Sequence, residues 1–145
     1  MSGKHRLAAW FQIVVGIAII GWWAVAAATG GIVELDEGRI DIVFHIAAEL
    51  VMAALLIGAG VALHRSGRTR TTTLISGLGL GMLLYSTINS PGYFAERGEW
   101  WAIGMFAAIA AVAAGTSIGL MKPDISPESE QPRPMAATTV YRRTP

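Results

Sequence analysis

Residues 40–63, IDIVFHIAAELVMAALLIGAGVAL, decide the architecture. Asp41, His45 and Glu49 are the ionisable side chains of this run, and the remainder is apolar or small. At 1.5 Å of rise per residue, a helix of ~20 residues crosses the ~30 Å hydrocarbon core of a bilayer. The run has no alternating pattern of a barrel strand. In lipid the backbone must satisfy its own hydrogen bonds, so the run reads as a transmembrane helix.

Outward from this segment lie three more apolar runs, at residues 7–29, 72–90 and 100–121, none of which contains a proline. Only 14% of the residues are charged, against about 25% in soluble domains. The mean hydropathy is +0.51. The chain therefore reads as an all-α membrane protein: a four-helix transmembrane bundle over residues 1–121. Short connections imply up-down-up-down packing of antiparallel neighbours. Residues 122–145, rich in Pro, Ser, Glu and Thr, read as a disordered cytoplasmic tail.

Basic residues set the expected orientation. Lys4, Arg6, Arg65, Arg68, Arg70, Lys122, Arg133, Arg142 and Arg143 fall on one side of the four runs, and only Arg39 and Arg97 on the other. The positive-inside rule then places both termini in the cytoplasm. A cleaved signal peptide is the competing reading of the N-terminus, since Lys4–Arg6 precede an apolar run and Ala26-Ala27-Ala28. That run exceeds the ~7–15 residues of a signal core and holds Trp22 and Trp23, which favours an uncleaved first span. The expected location is the cell (inner or plasma) membrane, with the lipid bilayer as the first partner. A homo-oligomer or a larger membrane complex is also compatible.

Turn chemistry supports these boundaries. Gly67 fits a helix C-cap between the second and third spans. Ser90-Pro91-Gly92 closes the third span, because proline cannot continue a helix readily and glycine can turn. Tyr93, Phe94, Trp100 and Trp101 fall where an aromatic belt belongs.

The informative residues are those lipid disfavours. Asp41, His45 and Glu49 follow one another at four-residue steps, each drifting ~40°, so they share an arc of ~80°. Gly77, Gly81, Tyr85 and Asn89 form a matching stripe on the third span, and Ala53 and Gly60 continue below the acidic residues on the second. Opposed in an antiparallel pair, the stripes set Asn89 level with Asp41 and Tyr85 level with His45. The small residues Ala53, Gly60, Gly77 and Gly81 are then expected to let these two helices approach closely. The expected result is a polar pocket, open to the outside, that handles a small ligand, cation or proton. An ionisable group at mid-membrane costs about 2.5–3.5 kcal/mol on insertion scales and is a functional candidate for that reason. The plainer alternative is a structural His45–Glu49 pair, with Asp41 at a helix N-terminus and Tyr85 and Asn89 in interhelical hydrogen bonds.

Other chemistries find little support. The absence of cysteine removes thiolate zinc sites, iron–sulfur clusters and Cys nucleophiles. With one histidine inside the spans, bis-His haem has no ligand set, and His45 with Glu49 makes only a weak metal pair. Gly77-Leu78-Gly79-Leu80-Gly81 lies within a span and is no nucleotide loop. The arginines of the second loop read as topogenic rather than as a nucleic-acid surface. Two further functional classes stay open: an accessory or scaffold subunit of a larger membrane complex, and a membrane-embedded enzyme using His45 as acid–base, for which no catalytic residue set accompanies it.

Phe44-His45-Ile46-Ala47-Ala48-Glu49, Gly81-Met82-Leu83-Leu84-Tyr85 and Asn89-Ser90-Pro91-Gly92-Tyr93 together resemble a group of uncharacterised four-span prokaryotic membrane proteins. The resemblance covers the middle half of the chain. It implies a topology and no activity.

Overall fold

A computed structural model describes residues 3–122, and the tail expected at 122–145 lies, apart from Lys122, outside the described residues. Within the described residues six helices follow one another: α1 (Gly3–Ala28), α2 (Val33–Asp36), α3 (Ile40–Ser66), α4 (Arg70–Asn89), α5 (Pro91–Glu96) and α6 (Trp100–Met121). Among the described residues there is no strand. Among the described residues four helical segments are long and apolar enough to cross a membrane: α1, α3, α4 with its continuation α5, and α6.

The turns follow local chemistry. Gly67 takes φ 66°, a left-handed conformation that costs glycine little, and its N–H donates to the carbonyl of Leu63 to close α3. Two residues on, Thr69 and Thr72 form a reciprocal capping box that starts α4. Pro91 interrupts α4 without turning the chain as expected: Ser90 keeps helical φ −70° and ψ −32°, and the span continues through α5 to Glu96, beyond the expected end at residue 90. Pro91 occupies the first turn of α5, where its missing N–H costs no intrahelical bond.

Packing runs in the order α1, α3, α4, α6, and α1 meets α6 only slightly. Gly16 faces Ala53 and Ile57, while Gly60 faces Ala9 and Ile13, so α1 and α3 run in opposite directions. Gly79 lies against Leu56, and Glu49 meets Ser86, which makes α3 and α4 antiparallel as well. Leu56, Leu63, Leu80, Leu83, Ala113 and Leu120 fill the centre. At one end Arg97 donates to Glu34 (3.2 Å), linking the α4–α6 connection to the α1–α3 connection. At the other, Arg68 donates to the carbonyl of Lys122 (2.6 Å).

The small residues do not pack as expected from the sequence. Ala53 and Gly60 lie against α1 rather than α4. Between His45 and Ala53 two steps of four residues rotate the face by ~80°, enough to turn it toward the next neighbour. On α4 the close approach occurs at Gly79, whose added Cβ would lie 3.2 Å from Leu56 Cδ2. Gly77 and Gly81 have nothing within 4 Å of that position. They lie ~160–200° around the helix from Gly79, so one face cannot serve both.

Candidate functional site

Glu49 sits on the dividing line of α3, between the face turned to α1 and the face turned to α4. Ala53 and Gly60 lie on one side of it, toward α1. Met52 and Leu56 lie on the other, toward the groove and α4. The carboxylate therefore draws partners from three helices. Trp23 Nε1 on α1 donates to Oε2 (2.7 Å), and Ser86 Oγ on α4 donates to Oε1 (3.1 Å). One turn away on α3, His45 Nε2 lies 3.4 Å from Oε1. The indole of Trp23 also meets the imidazole of His45 edge-on, with centroids 6.1 Å apart. The Glu49 side chain is 17% exposed and that of His45 48% exposed.

Beside this cluster a groove of about 440 Å³ runs between α3 and α4. His45, Glu49, Gly77, Gly81, Tyr85 and Asn89 all border it, so six of the residues singled out from the sequence come together. Its remaining walls are mainly apolar, including Ala48, Met52, Leu78 and Met82. The groove opens along the flank of the helix pair, where His45, Tyr85 and Asn89 are exposed.

The register differs from expectation by about one turn. With Glu49 opposite Ser86 and Leu56 opposite Gly79, Tyr85 falls level with Glu49 and Asn89 level with His45. Asp41 stands apart: it binds Arg39 in the preceding turn through a paired contact, Nε to Oδ1 at 3.2 Å, and both side chains are exposed. Asp41 also raises the pKa of Arg39 above its ordinary value, through the hydrogen bond first and the charge second. Among the described residues no group of three or more metal-binding side chains occurs.

Trp23 and Ser86 are the partners that sequence reasoning misses. Trp22 and Trp23 differ by ~100° in direction, so one of the pair must turn toward the helices, and an indole N–H held in apolar surroundings requires an acceptor. Ser86 is the residue after Tyr85 and lies off the four-residue stripe for the same angular reason.

Two further polar residues are buried away from this cluster. Gln12 and Ser76 are wholly buried, on α1 and α4. Gln12 Nε2 donates to the carbonyl of Ala8 (3.2 Å), whereas Gln12 Oε1 and Ser76 Oγ have no hydrogen-bond partner among the described residues.

A family model described as a domain of unknown function (DUF8058) matches residues 2–128. No curated protein and no solved structure matches the chain.

Proposed function

The chain belongs to this family of unknown function, and we propose that it is a small four-span membrane protein in which Glu49, assisted by His45, handles a proton or a cation. The observation that carries the proposal is the convergence of Trp23, His45 and Ser86 on one carboxylate within the apolar segments. An intramembrane acid needs such partners to offset its insertion cost. Here the His45 side chain and the groove keep it reachable, which a purely structural pair does not require. The spans run up-down-up-down with both termini in the cytoplasm, by the distribution of Lys and Arg. On that orientation Glu49 and the groove lie in the outer half of the bilayer. The location is the inner or plasma membrane of a prokaryotic cell.

The test is uptake of protons or cations by the full chain reconstituted in liposomes, driven by a gradient and read with a trapped indicator dye. Uptake above that of protein-free liposomes is expected, lost in Glu49→Gln and reduced in His45→Ala, whose imidazole lies 3.4 Å from the carboxylate. Uptake unchanged by Glu49→Gln would remove the proposal.

A specific observation favours a second reading. Because α1 and α6 scarcely meet, the row of helices is left open at that seam, as suits an accessory subunit that packs against another membrane chain.

A further inference from the structure

The groove next to Glu49 combines two properties that together select a ligand. Its walls are mainly apolar, and Met52 and Met82 lend it adaptable surface. Gly77 and Gly81 leave its floor free, since a Cβ at either would meet nothing within 4 Å. Its volume of about 440 Å³ falls in the ~300–1,000 Å³ range of small-molecule sites. Among its lining residues the titratable groups are Glu49, His45 and Tyr85, and neither Lys nor Arg is present.

We infer that the groove binds a lipophilic organic cation, an ammonium or related onium ion bearing apolar substituents, with Glu49 as counter-ion. The inference rests on the reading of Glu49 given above and names the ligand class of that site. An organic anion would meet the carboxylate with neither Lys nor Arg in the lining to offset it. A neutral apolar molecule would use the walls but leave Glu49 without a role in recognition. A small inorganic cation would exchange its hydration shell for one carboxylate, with no cluster of further metal-binding groups among the described residues. A substituted ammonium is weakly hydrated and gains from both features. The ring of Tyr85 at the rim adds the aromatic surface that such cations favour. The flank opening also suits entry from the bilayer, where lipophilic cations collect.

The experiment uses the full chain in lipid nanodiscs, with benzyltriethylammonium as the cation and benzenesulfonate as an aromatic anion. Equilibrium dialysis should show saturable binding of the cation and none of the anion. Glu49→Gln should weaken the cation by about tenfold or more. Gly81→Leu places a side chain in the groove and should weaken binding of the cation. Thermal unfolding of both variants establishes that they are folded; if Glu49→Gln is not, Gly81→Leu and the anion comparison decide. Equal binding of cation and anion, undiminished binding in Glu49→Gln or in Gly81→Leu, or no saturable cation binding would overturn the inference. In the last case proton uptake that depends on Glu49 leaves the proton-handling reading standing, whereas its absence removes both.

Discussion

A carboxylate set among apolar helices is tolerated where neighbouring donors replace water, and Glu49 meets that condition with one partner from each of α1, α3 and α4. Ser76 represents the opposite case, a buried hydroxyl with no partner among the described residues. Removing an unpaired hydroxyl sacrifices no hydrogen bond and relieves a desolvation cost of about 1–3 kcal/mol. Ser76→Ala should therefore leave unfolding stability unchanged or raise it, as read by thermal unfolding in detergent. Thr72→Ala, a single turn away, should lower it by about 1 kcal/mol. The Thr72 hydroxyl accepts from Thr69 N–H (2.7 Å) and contacts the Gly67 carbonyl (3.1 Å), so its loss opens the α4 cap. Equal responses at the two positions would mean that Ser76 has a partner the structure does not show. The acid and its neighbour His45 were legible because lipid makes any charged residue conspicuous. Trp23 and Ser86 were not, because each becomes a ligand of Glu49 only through the register of another helix.

At the scale of elements, the fold depends on where backbones approach, and glycines mark those places selectively. A Cβ at Gly60 would lie 2.7 Å from the backbone oxygen of Ala9, closer than the two helices can accept without shifting. A Cβ at Gly58, half a turn away, would meet nothing within 4 Å. Gly58→Ala should stabilise α3 by about 0.5–1 kcal/mol through backbone entropy. Gly60→Ala should destabilise it by about 1–3 kcal/mol through overpacking. Chemical unfolding of the two variants tests the α1–α3 interface directly, and stabilisation by both would refute it. The long helices could be read from the sequence because apolar length and loop chemistry are local signals: Gly67 and Pro91 each act within a turn of their own position, whereas the Thr69–Thr72 cap was not legible there. The choice of neighbour for Ala53 and Gly60 was not, since a four-residue stripe drifts ~40° per step and passes from one partner to the next.

For the whole molecule, short connections make sequential helices neighbours, and α1, α3, α4 and α6 form a row in that order. That order was legible from loop lengths. The weak contact between α1 and α6 was not, because nothing in a sequence of uniformly apolar spans specifies whether the last helix returns to the first. Orientation depends on charge rather than on packing, so it is tested separately. The end holding Lys4, Arg6, Arg65, Arg68, Arg70 and Lys122 carries most of the basic residues, and the opposite end holds Arg39 and Arg97. Both of those arginines meet carboxylates, Arg39 with Asp41 and Arg97 with Glu34. The count of Lys and Arg, not their pairing, sets the orientation. A reporter fused after Lys122 should therefore read cytoplasmic, and one inserted at Gly38, a turn residue with φ 73°, should read external. Reversing the charge asymmetry, by replacing Arg65, Arg68 and Arg70 with Gln and adding lysines beside Gly38, should shift a measurable fraction of molecules to the opposite orientation. An external reading after Lys122 in the unaltered protein would place Glu49 and its groove in the cytoplasmic half of the bilayer. A ligand entering by the flank opening would then reach the site from the inner leaflet.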